Sequence, residues 1–139
     1  MKYRVLFLCA TNGLQSPMAE AFLNALDSEH FDVSSAGLVC GTMHSTMVEV
    51  MKEVGVNLDG RLAKAVQDVA GRSFDFVITL CDRARARCPD FPGADRVHWR
   101  LDDPLAAPDH IQQIRKFQTL RDQIAHRVRL FALVQARSA

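Results

Sequence analysis

Apolar runs and helically spaced apolar positions alternate along the chain. The run over residues 3–8 has no polar alternation, which is typical of a parallel strand buried on both faces. Further strands are predicted over 31–35, 76–80 and 95–99. Helical spacing predicts helices from residue 17 to about 29, from 46 to 55, and from about 109 onward. Residues 61–71 indicate one or two helical turns, and residues 81–89 indicate a short helix or an ordered loop.

This order of elements predicts an α/β fold. A chain of 139 residues can build one domain with a real core but not two ordinary ones, so we expect a single domain over residues 1–139. Alternating strands and helices favour a three-layer sandwich, in which a four-stranded parallel sheet carries helices on both faces and the first strand is central. The carboxyl ends of the strands should bring together the loops 9–16, 81–88 and 100–104.

The ends of the first two helices have recognisable signals. Ser16 is a favoured N-cap residue and Pro17 suits the first helical position, so the first helix should begin where the loop 9–16 ends. Thr46 with Glu49 has the pattern of a capping box, and Gly55 is a natural stop for that second helix.

Cys9 is the strongest candidate for chemistry. It follows a buried strand and faces a helix N-terminus, where unpaired N–H groups and the helix dipole favour an anion and favour thiolate over thiol. Ser16 could donate a hydrogen bond to that thiolate. Cys9 is therefore interpreted as a nucleophile, and the alternative is a small buried hydrophobe at a strand end.

Charge and apolar length limit the function classes. Lys and Arg total 17 and Asp and Glu total 16, so no bulk field attracts nucleic acid or an anionic membrane, and anion binding must be local. The N-terminal apolar run is too short for a signal peptide, and no run reaches membrane-spanning length. We expect a cytoplasmic protein with mostly reduced cysteines. Arginines at 83, 85 and 87 alternate with alanine, which favours a solvated helix face over a nucleic-acid site.

No metal or other cofactor is predicted. A zinc set would have to combine Cys40, His44, Cys81 and Cys88, and their spacings match no standard pattern of zinc ligands. Cys40 is expected to pack or to lie in a surface loop.

The first loop resembles that of a known family. Cys9, Asn12, Ser16 and the following Met-Ala-Glu are similar to the phosphate-binding loop of low-molecular-weight protein tyrosine phosphatases and of thioredoxin-coupled arsenate reductases with the same fold. The resemblance implies a small oxyanion as ligand, arsenate or phosphate. It implies that the oxyanion is bound by the loop residues Ala10, Thr11, Asn12, Gly13, Leu14 and Gln15.

The resemblance also implies roles outside this loop. Ser35, in a Ser-Ala-Gly after the second strand, would support Asn12. Asp103 precedes Pro104 and would be the general acid that protonates the leaving oxygen, with Asp102 as the neighbour most easily confused with it. Taken alone, Asp-Asp-Pro is a common loop sequence and Ser35 is a strand-end residue.

Cys81 and Cys88 separate the subfamilies. The arsenate reductases carry a pair with this separation at this place, and ordinary tyrosine phosphatases lack it. The resemblance implies that Cys9 attacks arsenate, that Cys81 attacks the Cys9 adduct and releases arsenite, and that Cys88 resolves the Cys9–Cys81 disulfide. Thioredoxin would then reduce the Cys81–Cys88 disulfide. The alternative is two loop cysteines without a partner.

One position departs from the family pattern. The resemblance implies arginine where this chain has Gln15, and a neutral amide cannot copy the bidentate grip of a guanidinium. Removing such a group costs on the order of 10² to 10⁵ in rate in other enzymes. Arg100 and Arg83 are the candidate substitute cations. Three hypotheses stay open: a reductase, a phosphatase-like hydrolase, and a catalytically silent relative that binds an oxyanion or senses redox state.

Overall fold

The computed structural model describes residues 2–138, apart from the side chains of residues 137 and 138. Strands and helices alternate, and two single 3₁₀ turns lie at Val66–Asp68 and Pro104–Ala106. The elements in chain order are β1 (Tyr3–Cys9), α1 (Gln15–Asp27), β2 (Phe31–Gly37), α2 (Ser45–Lys52), β3 (Phe76–Thr79), α3 (Asp82–Arg87), β4 (Asp95–His98) and α4 (His110–Ser138).

The four strands form one parallel sheet in the order β2-β1-β3-β4. β1 pairs with β2 along its whole length, so that Cys9 lies opposite Gly37. β1 also pairs with β3, where Leu8 lies opposite Thr79. The chain leaves β1 on one side and returns on the other, so the strand order reverses at β1. The predicted parallel sheet with the first strand in its interior is confirmed.

Side chains of β1 alternate between two buried layers. Val5, Phe7 and Cys9 point to the face covered by α1, α2 and α4. Leu6 and Leu8 point to the opposite face, where they pack with the 3₁₀ turn at 66–68 and with α3. The predicted three-layer sandwich is therefore confirmed. Because the alternation has a period of two residues, it also turns the sulfur of Cys9 toward α1.

The C-terminal helix confirms the predicted start near Asp109. The Asp109 carboxylate accepts a hydrogen bond from the Gln112 N–H at 2.8 Å, as an N-terminal cap does. Its buried residues recur at helical spacing and pack in the same core as α1 and α2: Phe117, Leu120, Ile124, Val128 and Ala132. Among residues 2–138, no helix combines the length and apolar character that crossing a membrane requires.

The predicted capping box of α2 is wrong. The N-cap is His44, whose ring nitrogen Nδ1 accepts a hydrogen bond from the Thr46 N–H at 3.2 Å. The His44 N–H is itself bound to the carbonyl of Gly13, which fixes the chain just before the helix. Thr46 is therefore buried inside the first turn. α2 ends at Lys52, shortly before Gly55, whose φ is +81°.

Residues 61–71 contain one helical turn, within the one or two predicted there. The only helical turn there, in the described chain, is the 3₁₀ turn Val66–Asp68. The Gly37 N–H donates to the carbonyl of Lys64, and Gly37 forms a parallel bridge with Ala65. Just before the turn the chain is extended at Ala65, which continues the sheet edge beside β2.

The matched leucines of α4 give a test of the packing. Leu120 is 1% exposed and Leu130 is 48% exposed on the same helix. Leu120→Ala should lower the free energy of unfolding in urea by about 2–5 kcal/mol, because it leaves a cavity in the core between the sheet and α4. Leu130→Ala should change it by less than about 0.5 kcal/mol. Equal effects of the two substitutions would contradict the placement of this helix.

Candidate functional site

The loop between β1 and α1 is held by its carbonyl groups. The carbonyls of Cys9, Ala10, Thr11 and Gly13 accept hydrogen bonds of 2.9–3.1 Å from N–H groups in the segment 38–44. The N–H groups of residues 11–14 donate to no atom of the described chain. One side of the loop is thus bound to the protein, and its amide hydrogens are left for a ligand. A row of unpaired amides of this kind favours anions.

Gly13 and Gly37 allow the segment 38–44 to pack closely against the loop. A Cβ atom on Gly37 would lie 2.4 Å from the carbonyl carbon of Thr11, and one on Gly13 would lie 2.1 Å from the carbonyl oxygen of Thr42. Real Cβ atoms do not tolerate such distances. A larger residue at either position would therefore displace the loop.

Ser16 is directed at Cys9 and is not the helix cap. The N-cap of α1 is Leu14, whose side chain makes no capping hydrogen bond, so the predicted cap at Ser16 is wrong. The Ser16 hydroxyl oxygen lies 2.8 Å from the sulfur of Cys9 and accepts a hydrogen bond from the Asn12 amide at 2.8 Å. It also lies within donating distance of the Ala36 carbonyl, at 3.3 Å. The hydroxyl turns inward because these partners are all buried beside it.

Asn12 holds the loop in its left-handed conformation. Its φ is +57°, and it is completely buried. Its amide nitrogen donates to the hydroxyls of Ser16 and Ser35, and its oxygen accepts from the Lys64 N–H at 2.8 Å. Ser35 thus lies at 3.0 Å from the Asn12 amide nitrogen, in the contact that the resemblance implies.

Beneath this network lies Glu20, which the sequence analysis missed as a site residue. Ser35 donates to a Glu20 carboxylate oxygen at 2.9 Å. The carboxylate is nearly buried, and Arg61 and Lys64 approach it at 3.0 Å and 3.6 Å. The negative charge of Glu20 is thus balanced by two cationic side chains below the loop. The sequence feature that could have predicted this role is the spacing, because Glu20 lies four residues after Ser16 on the same helix face.

A cleft of about 520 Å³ opens at the carboxyl ends of β1, β3 and β4. The three predicted loops meet there. Its walls consist of Ala10, Thr11, Leu14, Gln15, Cys81, Asp82, Arg83, His98, Arg100, Leu101, Asp103 and Leu105.

Several predicted site residues lie outside these walls. Within the loop, Asn12 and Gly13 are buried and do not line the cleft. Asp102 is exposed and does not line the cleft either. Cys9 has no exposed surface and is not part of the wall. Its position follows from the alternation of β1, which directs its sulfur between the loop and α1. Cys88 also lies outside the cleft.

Cys81 is the cysteine on the cleft wall. Its sulfur accepts a hydrogen bond from the Ala84 N–H at 3.4 Å and so caps α3. Burial raises the pKa of the Cys81 thiol, and the neighbouring Cys9 raises it further, against the N–H groups of residues 84, 83 and 10, which lower it. Cys81 is therefore mainly a neutral thiol at neutral pH, and its pKa senses the charge of Cys9.

Cys88 lies at the other end of α3 from Cys81. Its sulfur donates to the Pro89 carbonyl at 3.3 Å, and all four cysteines are free. A helix of six residues is roughly 9 Å long, beyond the span of a disulfide. α3 must therefore unwind before these two sulfurs can bond.

The groups that can meet an anion in the cleft are polar and partly cationic. Arg83 and Arg100 line it and form no ion pair with a described residue. The Gln15 side chain lines it without a hydrogen-bond partner in the described chain. Asp103 caps the turn Pro104–Ala106 with one oxygen, which accepts from the Leu105 N–H at 2.9 Å. Its second carboxylate oxygen remains available.

His98, on the cleft wall, is a second site residue that the sequence analysis missed. Its Nδ1 lies 2.8 Å from the Thr79 hydroxyl. Its Nε2 is buried without a hydrogen bond, 3.4 Å from a carboxylate oxygen of Asp82. The sequence feature that could have predicted its place in the site is its position near the end of the fourth predicted strand, where the three loops were expected to meet.

The candidate zinc set does not come together. In residues 2–138, no group of three or more His, Cys, Asp or Glu side chains could hold a metal ion. Cys40 lies in an exposed loop, where its sulfur contacts the Ala63 carbonyl at 3.3 Å.

The Asn12 network should be essential to the fold of the loop. Asn12→Ala should lower the free energy of unfolding by about 1–3 kcal/mol, because it leaves Ser35 and the Lys64 N–H without their partner. The positive φ should make alanine worse than glycine at this position by about 1 kcal/mol. Asn24→Ala, at an exposed position of α1, is the matched control for urea unfolding. An Asn12→Ala protein as stable as this control would contradict the network.

Comparison with known proteins identifies the family. The family model of the low molecular weight phosphotyrosine protein phosphatases matches residues 4–138. An arsenate reductase of Brevibacillus brevis is 33% identical over 132 residues, which cover 94% of this chain and 95% of that protein. A solved arsenate reductase in the phosphate binding state has 30% identity and a TM-score of 0.80, and the match covers 94% of this chain and 96% of that one. A thioredoxin-dependent arsenate reductase of Corynebacterium glutamicum has 29% identity and a TM-score of 0.76, over 99% of this chain and 64% of that one. The chain therefore belongs to the low molecular weight phosphotyrosine protein phosphatase family.

Proposed function

We propose that this protein is an arsenate reductase that reduces arsenate to arsenite with Cys9, Cys81 and Cys88. The observation that carries the proposal is the place of Cys81. It lines the same cleft as the loop 9–16, lies close enough to Cys9 for that group to raise its pKa, and is joined to Cys88 by one short helix. Hydrolysis of a phosphate ester needs only one thiol, whereas reduction of arsenic needs a pair.

The chemistry balances over three thiol steps. The Cys9 thiolate attacks the arsenic of arsenate and displaces one oxygen as water. Cys81 then attacks the Cys9 sulfur, so that an S–S bond forms and the electron pair of the As–S bond leaves with arsenic as arsenite. Cys88 attacks Cys81 and frees Cys9. Two thiols are oxidised to one disulfide while arsenic gains two electrons.

Side chains and backbone N–H groups around the cleft would each take a part in these steps. Ser16 holds the Cys9 sulfur, and the N–H groups of the loop would bind the oxyanion. Asp103 would protonate the departing oxygen with its available carboxylate oxygen. Arg83 and Arg100 would supply the positive charge that Gln15 does not carry, because both face the same cleft. This assignment requires Cys9 to become accessible when the oxyanion binds.

The comparisons support this proposal over the phosphatase alternative. Arsenate reductases of Brevibacillus brevis and Halalkalibacterium halodurans match this chain over 95% and 94% of their own length, and one matching structure is described as thioredoxin-dependent. By this likeness, thioredoxin reduces the final Cys81–Cys88 disulfide. Because the cycle requires free thiols, we propose that the protein works in the cytoplasm.

A second candidate function is a silent relative that binds an oxyanion or senses redox state. Two observations favour it. Cys9 has no exposed surface, and the cleft wall carries neutral Gln15 where the resemblance implies arginine. The following assay separates the two candidates.

Thioredoxin-coupled turnover of arsenate tests the proposal. We expect arsenate-dependent turnover that falls to background in the single variants Cys9→Ser, Cys81→Ser and Cys88→Ser. Gln15→Arg should raise kcat/KM by about 10²- to 10³-fold, because it adds an oxyanion donor. Cys40→Ser removes an exposed thiol outside the cleft and is the matched control, with unchanged turnover.

Hydrolysis of p-nitrophenyl phosphate, measured in parallel, distinguishes the alternatives. Hydrolysis that survives Cys81→Ser and Cys88→Ser in a protein without arsenate turnover would identify a phosphatase. A protein inactive in both assays until Gln15→Arg is introduced would be the silent relative. Arg83→Ala and Arg100→Ala should each weaken phosphate binding in titration calorimetry. Unchanged binding in both variants would contradict their role as the cations of the cleft.

A further inference from the structure

A positively charged surface extends from the cleft along the end of β4. It consists of two shallow hollows of about 540 Å³ and 460 Å³, which share Arg85 and His98. The first hollow also includes Arg100, which it shares with the cleft, and the second includes Arg96. We call the surface lined by Arg85, Arg96, His98 and Arg100 the arginine groove.

The arginines of this groove carry exposed positive charge. Arg85, Arg96 and Arg100 are exposed, and none forms an ion pair with a described residue. Asp82 is the one carboxylate that lines either hollow, and it lies nearest His98. The formal net charge of the whole chain is only +1, so the groove concentrates positive charge that the rest of the protein does not have. Exposed guanidinium groups can grip carboxylates with paired hydrogen bonds.

The groove flanks the helix that joins Cys81 to Cys88. Arg85 belongs to α3, between the two cysteines. A guanidinium nitrogen of Arg96 donates to the Cys88 carbonyl at 3.3 Å. The arginines of the groove therefore lie beside the two cysteines that the proposed cycle joins in a disulfide.

Shape argues against a single small oxyanion as the occupant of the groove. The cleft already offers the loop amides, Arg83 and Arg100 to such a ligand. The groove continues past them as two open hollows along the surface. A partner that contacts Arg85, Arg96 and Arg100 together must be extended and must present several negative charges.

We propose that the arginine groove is the docking surface for an acidic face of the dithiol protein that reduces the Cys81–Cys88 disulfide. This inference rests on the proposed function. In the reaction, a thiolate of the partner attacks one sulfur of the disulfide and forms a mixed disulfide, and the other sulfur leaves as thiolate. The partner's second thiol then closes its own disulfide and releases the remaining cysteine. Two electrons pass from the partner's dithiol to this chain.

Charge complementarity at this groove should act on the rate of encounter. Electrostatic steering raises association rates by roughly 10- to 10³-fold and weakens with salt. A neutral small dithiol gains nothing from it. The ratio of the two reduction rates therefore isolates the contribution of the groove.

The test compares two double charge reversals on the oxidised full-length protein. Arg85→Glu with Arg96→Glu alters the groove, and Arg72→Glu with Arg127→Glu makes the same change of net charge at exposed positions outside it. Thioredoxin should reduce the groove variant about tenfold more slowly, with a weaker dependence on salt, and the control variant within about twofold of the original protein. Dithiothreitol should reduce all three at the same rate. Arg85→Glu alone should give a smaller loss, and it leaves the Arg96 contact with Cys88 intact.

Each other outcome overturns the inference. Equal losses in the two double variants would show an effect of net charge only, and an equal loss with dithiothreitol would show a damaged disulfide region. Oxidised protein that thioredoxin does not reduce would exclude the partner. Loss of binding to a labelled single-stranded oligonucleotide, with reduction by thioredoxin unchanged, would assign the groove to nucleic acid.

Failure of the proposed function gives a different result. Arsenite release by the fully reduced protein, measured as a single turnover without any reductant, tests only the steps at Cys9, Cys81 and Cys88. If no arsenite forms but the groove variant still loses its thioredoxin-specific reduction, the proposed function fails and the docking surface stands. If arsenite forms equally in all variants and thioredoxin does not distinguish them, the docking surface fails alone.

Discussion

The hydrogen bonds of one buried asparagine are the constraint on which the rest of the site depends. Asn12 is held in a left-handed conformation, and its amide joins the loop to Ser16, to Ser35 and to the backbone of Lys64. With the loop carbonyls bound to the segment 38–44, only the N–H side of the loop is left unpaired. A strand end, a helix start and an anion site thus come from one local conformation. The chemistry of the cleft follows from that conformation, because it places Ser16 against the sulfur of Cys9.

Charge is separated into two layers around this loop. Below it, the buried carboxylate of Glu20 is balanced by Arg61 and Lys64, so this pair of cations contributes to the structure. Above it, Arg83 and Arg100 line the cleft and form no ion pair within the part of the chain that the structure describes. A nearly neutral protein can in this way present a strongly local anion site, as its balanced composition requires. Gln15 carries no charge, so the cations that line this cleft come from the neighbouring loops.

Most of the fold was predictable because the apolar pattern of the strands and the long helix leaves few alternatives. The meeting of three loops followed from parallel strands, and the Asn12–Ser35 contact followed from the family resemblance. Local capping was not predictable from residue type: the Ser16 hydroxyl prefers its buried partners to the helix end, and His44 caps α2 in place of Thr46. The burial of Cys9 depends on which face of β1 its side chain occupies, and Glu20 and His98 matter through contacts distant in sequence.

The most direct test of the account is the alkylation rate of Cys9 in a protein that carries Cys40→Ser, Cys81→Ser and Cys88→Ser. We expect phosphate to slow this reaction, because an oxyanion bound at the N–H groups of the loop covers the Cys9 sulfur beside Ser16. Chloride at the same ionic strength should leave the rate unchanged. An alkylation rate that phosphate does not change would contradict an oxyanion site in front of Cys9.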